Sequence, residues 1–125
     1  MTWHYSSGTL KYYPYGDWWV ILYCDNGIIE YYRYYLEKRG IKLQKPKHGA
    51  HISIVRGEGE PEPEHKENWL WNDGGLVLFQ YSNEVVFGET HVWLPVRSQS
   101  LDELRQYLGL APKPQFRFHL TLGRF

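Results

Sequence analysis

His51-Ile52-Ser53-Ile54-Val55-Arg56 and His119-Leu120-Thr121-Leu122-Gly123-Arg124 share one pattern: histidine, apolar, hydroxyl, apolar, variable, arginine. They stand about half a chain length apart. In each, polar and apolar residues alternate with the period of a half-buried strand. Side chains two residues apart on a strand share a face, so His51 lies beside Ser53 and His119 beside Thr121. Ile52, Ile54, Leu120 and Leu122 then face a core. A repeated unit of this kind points to two similar halves, and the segments around it are read in that light.

Upstream, Trp18-Trp19-Val20-Ile21-Leu22-Tyr23-Cys24 is β-prone and bounded by Pro14, Gly16 and Asp17 on one side and Asp25-Asn26-Gly27 on the other, which predicts a strand. A helix follows. Asp25 or Asn26 caps it, Ile28, Ile29, Tyr32 and Leu36 share a face, and Gly40 stops it. A basic loop with Lys42, Lys45 and Lys47 leads into the first repeat, and Arg56-Gly57 ends that strand. Gly57 to Glu67 carries Pro61, Pro63 and five glutamates, a composition expected to form an exposed, solvated flap. Two strands are expected over 76–81 and 91–97. A helix should start near Ser100, where Ser100 and Glu103 form a capping-box pattern, and run to Leu108. Pro112 and Pro114 break the chain before a last strand from Phe116 to Leu122. The expected order is strand, helix, strand, then strands, helix, strand: an α+β class.

A chain of 125 residues is the size of one domain, so residues 1–125 are read as a single unit. Apolar residues make up 42% and Tyr, Trp and Phe 18%, enough for a core with aromatic surface to spare. The 14 basic and 14 acidic residues cancel, which excludes the broad positive field that holds a protein on duplex DNA. A nucleic-acid partner should be a small nucleotide or a short RNA. The lone Cys24 excludes an internal disulfide framework and fits a reducing compartment and a core position. There is no basic segment followed by an apolar stretch at the N-terminus, and no run of about 20 apolar residues to cross a bilayer. The expectation is a cytoplasmic monomer with no membrane partner.

Phosphoryl chemistry requires a group that takes a proton from the attacking oxygen, a group that gives one to the leaving oxygen, and donors for the nonbridging oxygens. Two facing strands, one with His51 and Ser53 and the other with His119 and Thr121, supply all of these. An imidazole with an ordinary pKa of about 6.5 suits either proton role near neutrality, and neither role requires a metal. Which histidine is acid and which is base is left open. His4-Tyr5-Ser6 has the same spacing, but without apolar alternation or a strand context, and is set aside. Two competing readings stand beside the enzyme. One is a nucleotide- or RNA-binding module that keeps the cleft without turnover. The other is a structural domain whose histidines merely pack.

With Phe118-His119-Leu120-Thr121-Leu122-Gly123-Arg124 as the closest stretch, the motif pair resembles that of the 2H phosphoesterase superfamily, which includes the RNA-ligase-like 2',3'-cyclic phosphodiesterases. Ser53 in place of the commoner threonine is an accepted variant there. The resemblance implies a bilobal α+β fold with two antiparallel sheets around a central cleft and flanking helices. It also implies metal-free catalysis, with His51 and His119 as the acid-base pair and Ser53 and Thr121 holding phosphate oxygens. The implied substrates are 2',3'-cyclic phosphates, as in RNA processing, or 2'-5' linked and cyclic oligonucleotides. Certain phage members of similar size destroy cyclic-nucleotide immune signals, which implies an immune-evasion role in an infected bacterial cell.

Arg56 and Arg124 sit at equal offsets from the two histidines. Regular strand parity points both away from the cleft, and a bulge or a strand end would turn them onto it, where a guanidinium fork suits a phosphate. Both are candidate substrate contacts. Lys42 to His48 form a basic approach to the first motif, or simply a solvated loop. Trp3, Tyr5, Tyr12, Tyr13 and Tyr15 could stack a base or pack in the core. Glu58 to Glu67 with His65 lacks the fixed spacing of a zinc or calcium site, so no metal is expected. No phosphate-cradling glycine loop, nucleophilic Cys-His arrangement or dinucleotide fingerprint occurs, so no cofactor is expected.

Overall fold

Seven strands form one mostly antiparallel, nearly barrel-like sheet with three helices, an α+β chain, in a computed structural model that describes residues 2–125. The elements are β1 (Trp3–Tyr13), β2 (Trp19–Tyr23), α1 (Asn26–Glu37), β3 (His51–Val55), α2 (Pro63–Lys66), β4 (Leu76–Ser82), β5 (Val86–Phe87), β6 (His91–Arg97), α3 (Gln99–Tyr107) and β7 (His119–Arg124). β1 and β4 pair at the centre, β2 and β6 flank them, and β3 and β7 lie outside. The short β5 pairs with β6 beside this path. With the short β5 set aside, each half runs strand, strand, helix, motif strand, and the antiparallel β1–β4 pair joins one half to the other.

The expected repeat therefore extends well beyond two motifs. Strand alternation puts Leu10, Tyr12, Val20, Leu22, Ile52 and Ile54 from one half, and Val77, Phe79, Val92, Leu94, Leu120 and Leu122 from the other, into a single core. The helices cover this face, α1 with Ile29 and Leu36 and α3 with Leu101 and Leu104. Each helix also crosses over: α1 packs on β7, and α3 packs on β4 and β3. Cys24 lies partly buried against the core, where burial pushes its thiol up to about 12. Among the described residues no helix is long and apolar enough to cross a membrane.

Three local expectations are corrected. β1 was not foreseen, and it gives His4 the strand context its sequence did not show. Its middle is built of Ser6, Ser7 and Gly8 rather than large apolar residues. At Gly8 even a Cβ would lie 2.6 Å from Leu22 Cγ and 2.7 Å from the Tyr23 carbonyl, so this close approach erases the usual alternation. The cap of α3 is Ser98, not Ser100. Ser98 has the extended backbone, its Oγ accepts from Leu101 N–H at 3.1 Å, and its hydroxyl donates to the Leu78 carbonyl at 2.7 Å. Finally, the glutamate-rich segment is largely exposed, as expected, but it is pinned to the body of the fold rather than a free flap. Glu58 is gripped by Arg105, Pro63 starts α2, and Asn68 Nδ2 donates to the Tyr107 carbonyl at 2.8 Å.

Arg105 occupies the apolar stripe of α3 and is 1% exposed. Its fork donates to the carbonyls of Ala111 (2.7 Å) and Ile54 (2.8 Å) and to both oxygens of Glu58 (2.6 and 2.7 Å). Removing one member of a buried pair leaves an uncompensated charge, which costs about 3–5 kcal/mol. Glu58 keeps some solvent contact, so Glu58→Ala is expected to cost about 3 kcal/mol. Glu60→Ala breaks the exposed Lys66–Glu60 pair and should cost less than about 1 kcal/mol. Urea midpoints of the two variants check the contrast, and equal midpoints would remove the structural role of the Arg105–Glu58 pair.

Candidate active site

The two motif strands sit in the same register against their partners. His51 stands opposite Tyr23 and Ser53 opposite Ile21, and then the register shifts so that Val55 faces Val20. His119 stands opposite Pro95 and Thr121 opposite Trp93, and the same shift brings Gly123 opposite Val92. Ile54 and Leu122 are the extra residues of two matching bulges. A bulge reverses the strand parity beyond it, so the residue after the bulge pair returns to the histidine face.

Each imidazole is clamped in the same way. His51 Nδ1 donates to the Gly49 carbonyl at 3.0 Å, and His119 Nδ1 donates to the Arg117 carbonyl at 2.8 Å. A carbonyl only accepts, so in both rings the Nδ1 hydrogen is fixed and Nε2 is left to exchange protons. Gly49 holds a left-handed backbone at φ +70°, and Asn26 Oδ1 accepts from the next N–H, that of Ala50, at 2.8 Å. The first residue of α1 thereby sets the loop that aims His51.

His51, Ser53, His119 and Thr121 all line one cavity of about 550 Å³, together with Arg56, Glu58 and Phe116. A larger cavity of about 680 Å³ lies among Tyr31, Tyr32, Tyr35 and Tyr81 beside His4. That space offers no second proton-transfer group of ordinary pKa near neutrality, so chemistry rather than volume selects the two-histidine cavity. His4 itself leans on Tyr81, with ring centres 5.3 Å apart.

The two arginines part company. Arg56 is turned onto the cavity side, with its guanidinium 5.0 Å above the Trp19 ring. Arg124 is held away from the cavity lining. Its backbone bridges to Gln44, and its Nε donates to Gln44 Oε1 at 3.3 Å. Of the basic approach, Lys42 and Lys45 line a different depression beside α1, while His48 stands next to His51 with ring centres 6.1 Å apart. None of the five N-terminal aromatics lines the cavity. Arg97 covers Trp3, Tyr12 packs on Trp69, and Tyr13 shares a 2.7 Å hydrogen bond with the Tyr23 hydroxyl, which is pushed up to about 12 mainly by that bond.

Sequence reasoning read Asn26 only as a candidate helix cap, and it did not single out Gly49, Phe116, or the two helix arginines that donate to the bulge carbonyls, Arg33 to Leu122 and Arg105 to Ile54. For the arginines a signal existed. Arg105 lies three and four residues from Leu108 and Leu101, squarely on a stripe that should be apolar.

No protein-family model matches the chain, and comparison with curated proteins and with solved structures gives no match.

Burial holds the His51 pKa below the ordinary histidine value. The Gly49 hydrogen bond opposes that shift, and the positive charges of His48, Arg56 and His119 add to it. Between the lowered value and about 6.5, the unfolded chain binds more protons at this residue than the folded chain does. Stability should therefore be complete above that window and fall as the pH drops through it, and His51→Gln should flatten the fall. Thermal midpoints from pH 8 to pH 5 for both proteins check this, and identical slopes would refute the His51 contribution.

Proposed function

We propose that the chain is a phosphodiesterase of the 2H phosphoesterase type, needing no metal for its proton transfers. Its substrate would be a small nucleotide carrying a 2',3'-cyclic phosphate, a 2'-5' linkage or a cyclic oligonucleotide linkage. The observation that carries this reading is the pair of Nε2 atoms, identically oriented by Nδ1 hydrogen bonds, in one cavity with two hydroxyls. The topology supports it too: two strand-strand-helix-strand halves bring their motif strands together as the walls of a cleft.

The reaction is an in-line displacement. For a cyclic phosphate, one imidazole takes a proton from water as the new O–P bond forms, and the other gives a proton to the departing ribose oxygen as the old bond breaks. The product is a phosphate monoester. His51 suits the base role, because its lowered pKa keeps it neutral near pH 7; His119 is then the acid. Ser53 and Thr121 donate to the nonbridging oxygens, and Arg56 adds a fixed positive charge.

Turnover of 2',3'-cyclic nucleotides, 2'-5' oligoadenylates and cyclic di- and trinucleotides, with a chelator present and products resolved by chromatography, tests the reading. At least one class should be cleaved, with a bell-shaped pH profile. His51→Ala and His119→Ala should each lower kcat about 10²–10⁴-fold. Binding without product would point to a nucleotide-binding module, and neither binding nor product to a structural domain. Cleavage confined to cyclic oligonucleotides would support the immune-evasion role.

A further inference from the structure

The repeat makes the two walls of the cleft comparable residue by residue, and three positions before the motif histidines they differ. His48 stands on one side and Phe116 on the other. The His48 ring meets that of His51 edge-on at 6.1 Å. Phe116 is 77% exposed and presents an uncharged ring to the cavity. The arginines repeat the asymmetry, since Arg56 is turned inward and Arg124 is bound to Gln44.

On the His48 side a pocket of about 40 Å³ lies beside the main cavity, with His48, His51, Ser53 and Arg56 among its lining and Trp19, Ile21 and Val55 as its apolar walls. His51, Ser53 and Arg56 line both spaces, so the two adjoin across the β3 side chains. No carboxylate lines the side pocket, and Glu58, the acid on the main wall, is taken by Arg105. Among the described residues Arg56 has no ion-pair partner. A guanidinium with no carboxylate near it raises the energy of the empty site, and an anion relieves it. The guanidinium fork of Arg56 and a ring N–H of His48 match phosphate oxygens in particular.

We propose that this side pocket holds a second phosphate of the substrate, so that the preferred nucleotide carries two phosphate groups, one at the scissile position and one beside His48 and Arg56. The inference rests on the phosphodiesterase reading for its first phosphate. It orients the substrate, with the added phosphate on the β3 wall and the uncharged Phe116 wall left for the base.

Calorimetric binding of adenosine 3',5'-bisphosphate and adenosine 3'-monophosphate at fixed ionic strength tests it without requiring turnover. Wild type should bind the bisphosphate about tenfold more tightly. His48→Ala and Arg56→Ala should each remove most of that ratio, while Lys38→Ala, which deletes a positive charge at the end of α1, should leave it unchanged. A ratio near one, or one that survives both pocket substitutions, overturns the proposal. So does inorganic phosphate binding alongside the monophosphate and recovering the whole advantage, which would make the pocket a site for a free anion. Failure to cleave any cyclic phosphate, with the bisphosphate preference intact, would sink the phosphodiesterase reading and leave the two-phosphate site standing. Cleavage without that preference would do the reverse.

Discussion

Two backbone carbonyls impose the central constraint on this fold. The bulges at Ile54 and Leu122 interrupt the ladders that β3 and β7 make with their partners, and a buried carbonyl without a donor costs about 1–3 kcal/mol. Arginines from the helices answer both. Arg105 Nη1 donates to the Ile54 carbonyl at 2.8 Å, and Arg33 Nη1 donates to the Leu122 carbonyl at 2.7 Å. In each case the arginine belongs to the helix of the opposite half. The same forks also tie down chain that follows their own helices: Arg33 holds the Leu43 carbonyl at 2.8 Å, and Arg105 holds that of Ala111 at 2.7 Å. A helix that must satisfy the other half's bulge cannot drift from it, so this exchange of donors draws β3 and β7 together and forms the cleft.

The bulge and the site are parts of one device. Without the extra residue, Arg56 would follow regular parity to the face away from His51, and the cavity would lose its guanidinium. The bulge brings it back, but only by creating the carbonyl that Arg105 must cap. At the second bulge the position after Leu122 is Gly123, where a Cβ would lie 2.5 Å from the Gln44 carbonyl and 2.6 Å from Arg33 Nη1. There the segment between α1 and β3 runs against β7, and its bridge draws Arg124 onto Gln44. One bulge therefore delivers an arginine to the cavity, and its twin spends its arginine on closing the sheet.

What the sequence made legible follows from periodicity. The motif strands, β2, β4, β6 and both longer helices have clean apolar patterns, and the expected boundaries lie within a few residues of those observed. β1 was hidden because its middle, Ser6-Ser7-Gly8, breaks the apolar alternation, and at Gly8 the approach of Leu22 and the Tyr23 carbonyl leaves no room for a side chain. The docking of the glutamate-rich segment was hidden because composition counts Glu58 as a solvated charge, and only the fold reveals a buried guanidinium waiting for it. The convergence of four motif side chains on one cavity was readable from strand parity and the repeat. The fate of the arginines was not, since it depends on bulges that the alternation of residues does not record.

The repeated arrangement gives the two imidazoles the same geometry, yet the acid and the base of the proposed reaction must differ. Both rings have the same clamp, the same hydroxyl two residues on and the same bulge behind them, so the distinction has to come from what the repeat does not copy. Around His51 those unshared neighbours are His48 and Arg56, charges that disfavour a second proton on its ring. Around His119 the corresponding positions are Phe116 and an arginine committed to Gln44, and the ring leans instead on Trp93 at 6.0 Å. Neither neighbour adds positive charge at that ring. Symmetry in the backbone thus supplies two aligned imidazoles, and in the proposed reaction a few unmatched side chains would give them opposite tasks.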